Sequence, residues 1–126
     1  MKKLALIPIM ALLLCGFACP SNLNLAQNAR DAAASLGGVL RTAQLKYEVQ
    51  CAADSSASPC QAINRGIAGQ NALITAVETY CGWSPSAPPP DLNANCVPVA
   101  SSEAALKSAI GNANQLITEL KGLVKP

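Results

Sequence analysis

The residues of this 126-residue chain best suited to chemistry are six cysteines, at positions 15, 19, 51, 60, 81 and 96, and no histidine stands beside them. Cysteines can form disulfides, hold a soft metal as thiolates, attach haem or act as nucleophiles. A four-cysteine zinc site normally uses short Cys-x-x-Cys pairs, and Cys51, Cys60, Cys81 and Cys96 contain none. Haem attachment needs Cys-x-x-Cys-His, which the missing histidine rules out. Structural disulfides are the chemistry that remains, and no cofactor or metal is implied. Acid-base and nucleophilic catalysis are equally unsupported. The carboxylates are scattered along the sequence, no serine sits in an elbow motif, and Gly66 and Gly69 fall in helical phase instead of forming a phosphate-cradling loop. The expectation is a protein that is not an enzyme.

The N-terminus explains two of the six cysteines. Lys2 and Lys3 precede an apolar run over residues 4–14, interrupted by Pro8, and then come Gly16, Phe17, Ala18 and Cys19. This is the layout of a secretory signal, and its apolar part is shorter than the roughly 20 residues of a membrane span. Residues 1–18 are therefore expected to be a signal peptide that removes Cys15. The sequence before Cys19 resembles a lipoprotein box, in which a leucine, a small residue, and a glycine or alanine precede the modified cysteine. Ala18 fits that pattern, whereas Gly16 and Phe17 depart from it.

Cysteine parity adds an independent argument. Removal of Cys15 leaves Cys19, Cys51, Cys60, Cys81 and Cys96, an odd set for an exported protein. If Cys19 carries lipid through its sulfur, the other four can all pair. The favoured reading is a cell-envelope protein anchored to a membrane through an N-terminal lipid. The alternative is cleavage after Ala18 to give a periplasmic or extracellular protein with a free Cys19.

Charge narrows the choice of partners. Of the nine basic residues, Lys2 and Lys3 lie in the signal, so the seven beyond it balance the seven acidic ones. A neutral mature chain has no electrostatic basis for nucleic-acid binding.

Residues 19–126 then have to position four cysteines, and the hydrophobic periodicity predicts how. Helices are expected at about 22–50, 59–81 and 102–124. In the first, Leu25, Ala29, Ala32, Leu36, Val39 and Ala43 recur at spacings of three and four, with Lys46 and Gln50 breaking the stripe and Leu40 and Tyr47 continuing a neighbouring one. Gly37-Gly38 marks a place where this helix could bend or break, since glycine costs about 1 kcal/mol relative to alanine in a helix interior. The second helix carries one stripe from Cys60 through Ile63, Ile67, Gln70, Ile74 and Val77 to Cys81, and another from Ala62 to Tyr80 that includes Gly66, Gly69 and Leu73. Ser58, Pro59 and Gln61 read as an N-cap, a first-turn proline and the end of a capping box, and Gly82 as the stop. The third helix, introduced by Ser101 or Ser102 and Glu103, has the stripe Leu106, Ile110, Ala113, Ile117, Leu120 and Val124. The fold class expected is all-α, a small antiparallel three-helix bundle. So many of its apolar positions are alanine or glycine that the helices should pack closely around a thin core.

That arrangement decides among the three possible cysteine pairings. Cys60 and Cys81 lie at opposite ends of the second helix, roughly 31 Å apart at about 1.5 Å per residue, so they cannot bond. Cys51 ends the first helix beside the start of the second, and Cys96 lies in the proline-rich connection 82–100 beyond Cys81. Cys51–Cys60 and Cys81–Cys96 is the expected set.

The remaining candidates concern surfaces. The many helical amides are read as solubilising or cross-linking groups, Gln70 standing out because it interrupts an apolar stripe, and Arg30-Asp31 and Lys46-Glu48 as solvated faces. Trp83, directly after Gly82, is placed to fold back on Val77 as the hydrophobic contact of a helix cap. It is also a candidate, with Leu92, Val97 and Val99, for contact with a membrane interface or a partner. An up-down-up bundle anchored at Cys19 would hold the connection 82–100 near the membrane and turn the loop 52–58 away from it. These features suggest a scaffold or protein-interaction module for an unidentified envelope protein; the competing expectation is a carrier or sensor of a small apolar ligand held between the helices.

Overall fold

A computed structural model describes residues 22–83 and 96–126, with side chains from Leu25 onward. The proposed signal peptide, Cys19 and Leu92 lie outside the described residues. Three helices carry the fold: α1 (Asn22–Ala53), α2 (Ser58–Tyr80) and α3 (Glu103–Val124), the last preceded by a 3-10 turn over Ala100–Ser102. There is no strand among the described residues. Each helix packs against both others, so the apolar stripes close on a shared axis.

The core has the composition the stripes predict. Leu36 and Leu40 from α1, Leu73, Val77 and Tyr80 from α2, and Leu106, Ile117 and Leu120 from α3 are buried together with six alanines of α1 and α2, from Ala26 to Ala62, and Ala113. Small residues bring the helices close enough for Gly66 to matter. A β-carbon there would stand 2.5 Å from Leu40 Cδ2 and 3.0 Å from Leu120 Cδ1. Gly69 would likewise collide with Leu116. Gly66 thus lies where all three helices converge and Gly69 where α2 meets α3, the close packing their helical phase implies.

α1 runs unbroken through Gly37-Gly38, so the bundle has three helices and not four. Gln70 stabilises the crossing: its Nε2 donates to the Ala33 carbonyl at 3.2 Å, and a β-carbon on Gly37 would meet the same nitrogen at 3.5 Å. The odd amide in an apolar stripe therefore links α2 to α1. Its Oε1 is buried without a hydrogen-bond partner among the described residues.

Two local expectations need correction. Ser58 is not the N-cap of α2. Ala57 holds that position, Pro59 lies in the first turn, and no side chain caps the helix, so the proposed box with Gln61 does not form. The Ala57 carbonyl receives Cys60 N–H and Gln61 N–H instead. The short connection fixes that entry point, since Ser56 donates both N–H and hydroxyl to Asp54 Oδ1 and Cys60 is tied back to Cys51. Similarly, Ser102 precedes α3 without a side-chain cap hydrogen bond, leaving Glu103 to serve the helix N-terminus and pair with Lys107 one turn on.

The stapled ends and candidate interaction surfaces

Cys51 is bonded to Cys60 and Cys81 to Cys96, with Cα separations of 5.5 and 4.5 Å. Helix length accounts for this choice: each bond joins a helix end to the connection or helix that follows it, and α2 separates the two bonds. With all four sulfurs committed, no thiolate among them remains to bind a metal. Among the described residues no group of three or more cysteine, aspartate or glutamate side chains forms a metal cage.

The end of α2 is built from its last residues. Gly82 takes φ of +69°, the left-handed conformation that glycine adopts without penalty. Its N–H donates to Thr79 O at 3.2 Å, while Trp83 N–H donates to Glu78 O at 2.9 Å. These are the two bonds of a Schellman cap, with Trp83 in the position whose side chain folds onto the preceding turn. Trp83 is half-buried and packs against the core. The returning chain then docks on the same end: Val97 N–H reaches Cys81 O at 3.4 Å, and Val99 N–H reaches Tyr80 O at 2.7 Å. Val99 is half-buried, its Cγ2 lying 3.7 Å from where a β-carbon on Gly82 would be. Of the described apolar candidates in this connection, only Val97 offers its side chain to solvent, at 73 % exposure.

Tyr80 lies just beneath this cap and is fully buried. Burial raises its phenol above the ordinary value of 10.0; Glu103 pushes in the same direction, and Lys107 opposes them. The group is suited to filling the core as a neutral phenol and not to acid-base work near neutral pH.

The opposite end contains a contact that has no local signal in the sequence. Lys46 Nζ donates to the carbonyls of Leu123 (2.9 Å) and Lys125 (3.0 Å), and Tyr47 Oη donates to Leu123 O at 2.9 Å. Two adjacent α1 residues therefore satisfy carbonyls that the end of α3 cannot satisfy itself. Lys46 stays exposed, as a solvated face implies, and acts there as a clamp; Arg30 departs from that reading, being half-buried. In the adjoining turn, the hydrogen bonds from the Ser56 hydroxyl and N–H hold the exposed Asp54 carboxylate below its ordinary range.

Two open grooves lie on the bundle surface. One of about 290 Å³ lies beside the Cys51–Cys60 bond between Gln44, Glu48, Ile63 and Ile67. Another, of about 460 Å³, is lined by small side chains of α2 and the start of α3, including Ala72, Ala76 and Ala105. Ile67, expected in the core stripe, is 38 % exposed at the rim of the first groove. Leu45 and Val49, which belong to none of the apolar stripes, are exposed on α1 at 68 % and 84 %. No helix among the described residues is long and apolar enough to cross a membrane. No protein-family model, curated protein or solved structure matches the chain. What fold and site define is a three-helix bundle stapled by a disulfide at each end.

Proposed function

We propose that the chain is an exported, lipid-anchored, non-enzymatic component of the cell envelope that serves as a scaffold or protein-interaction module. The observation that carries this reading is the disulfide at each end of a thin bundle. Such bonds persist in oxidising compartments and compensate for a small core. The signal layout and the odd Cys19 supply the route of export and the anchor. Binding of an apolar molecule between the helices is less well supported, because a carrier encloses most of its ligand, whereas the grooves described are open and the helix axis is filled by Leu36, Leu73, Leu106 and Leu120.

Anchoring at Cys19 brings the start of α1 and the connection after α2 close to the membrane, with Val97 outermost among its described apolar side chains. The turn carrying Ser56 faces away. In intact cells, Cys19→Ala is expected to release the protein from the membrane fraction. A photo-crosslinker at position 97 is expected to capture lipid or a neighbouring envelope protein, and one at position 56 to capture no lipid. Retention of the Cys19→Ala protein in the membrane, or lipid capture from position 56 alone, contradicts the proposal.

A further inference from the structure

The outward face of α1 has features that packing within one copy leaves unexplained. Gly38, Thr42, Leu45, Val49 and Ala52 alternate at spacings of four and three, the repeat of a helix-helix seam, and all five are exposed. This row lies on the side of α1 opposite Leu36, Leu40 and Ala43. Leu45 and Val49 put large apolar side chains in water, and a β-carbon on Gly38 would meet nothing within 4 Å. Gly38 thus weakens α1 without making room for anything in its own bundle, unlike Gly66. Thr42 fits an apolar seam because its hydroxyl is already bonded to Gly38 O at 3.1 Å.

The charges beside this row select its occupant. Arg41 and Glu48 flank the same edge of the seam seven residues apart, both exposed, and neither has an ion-pair partner among the described residues. We infer that the seam pairs with a second copy of itself, with the two α1 helices antiparallel. In that register Val49 of one copy packs into the space over Gly38 of the other, and Leu45 packs beside Thr42. The same register puts Arg41 opposite Glu48 of the second copy, twice by symmetry. A parallel pair would instead bring Arg41 toward Lys46. The row contains only two large apolar residues between opposite charges, which suits a membrane surface poorly, since interfacial helices present a broader apolar face with basic flanks. The pairing is independent of lipidation. Copies held upright in one membrane have parallel α1 helices, so this antiparallel pairing joins copies anchored in two facing surfaces or released from the membrane.

Charge exchange tests both partner and register. Sedimentation equilibrium of the purified full chain should show a reversible monomer-dimer equilibrium. Arg41→Glu alone and Glu48→Arg alone should each weaken it by about tenfold, because each replaces two exposed ion pairs by two like-charge contacts. The double variant Arg41→Glu/Glu48→Arg should restore wild-type association. Both positions are exposed, and unchanged unfolding midpoints would verify that the variants fold. Leu45→Glu/Val49→Glu should abolish the dimer. A wild-type chain that stays monomeric to its solubility limit overturns the inference. So does a dimer indifferent to Leu45→Glu/Val49→Glu, a double charge variant no better than the singles, or binding to neutral phospholipid vesicles through this face without self-association.

Discussion

The two ends of the bundle are both closed by a disulfide, but what surrounds each bond differs. Around Cys51–Cys60 the connection is a short turn with its own hydrogen bonds from Ser56 to Asp54, and the neighbouring end of α3 is clamped by Lys46 and Tyr47. Around Cys81–Cys96 the chain leaves α2 through the Gly82-Trp83 cap, and after a connection longer in sequence the residues from Cys96 onward dock by backbone bonds from Val97 and Val99. Loop entropy barely separates the bonds: with sequence separations of 9 and 15 they should contribute about 2.5 and about 3 kcal/mol respectively. The difference must therefore come from what each end retains once its bond is removed. The short turn keeps a local geometry that already brings α1 and α2 together, whereas the long connection is left with only the backbone bonds from Val97 and Val99 to the end of α2.

The largest effect expected is thus an asymmetry between double variants. Cys81→Ala/Cys96→Ala should cost about 3 to 5 kcal/mol and Cys51→Ala/Cys60→Ala about 2 to 3 kcal/mol, read from denaturant midpoints. Equal losses would break the comparison. A second pair of variants sharpens the picture of the thin core. Gly66→Ala should destabilise by about 1 to 3 kcal/mol, because its methyl group enters space held by Leu40 and Leu120. Gly38→Ala, with open space around it, should raise the stability of the monomer by up to about 1 kcal/mol. The same sign for both would contradict the packing described.

Smaller effects address each end separately. Tyr47→Phe should cost about 1 kcal/mol through loss of the bond to Leu123 O and should speed amide exchange in the last turn of α3, with little change near Gly82. At the other end, the raised phenol of Tyr80 makes the folded state hold its proton where the unfolded chain has begun to lose it. Stability should consequently decline as pH rises past 10.0, and Tyr80→Phe should flatten that decline.

How much of this was legible in the sequence depended on the distance over which the determining contact acts. The Schellman cap at Gly82-Trp83 and the cysteine pairing follow from neighbouring residues and helix length, so they could be read directly. The close packing at Gly66 was visible because two apolar stripes on α2 required neighbours on two sides. The Lys46 and Tyr47 clamp was not, since it joins residues 76 to 79 positions apart and uses a lysine that, in sequence, merely interrupts a stripe. Ser58 misled for the opposite reason: its local cap pattern was sound, but the Asp54 turn and the Cys51–Cys60 bond started α2 from Ala57. The Leu45 and Val49 face has no signature in the sequence, because the core stripe accounts for α1 by itself and the exposed row is defined only by its position opposite the buried side.

Mass spectrometry of the protein from fractionated native cells, intact and after non-reducing digestion, decides whether the disulfide-stapled bundle is exported and held at a membrane by Cys19. The expected result is a membrane-fraction species that begins at an acylated Cys19 and yields the linked peptides Cys51–Cys60 and Cys81–Cys96. A soluble, unacylated species beginning at Cys19, or recovery of Cys51 joined to Cys81, would contradict it.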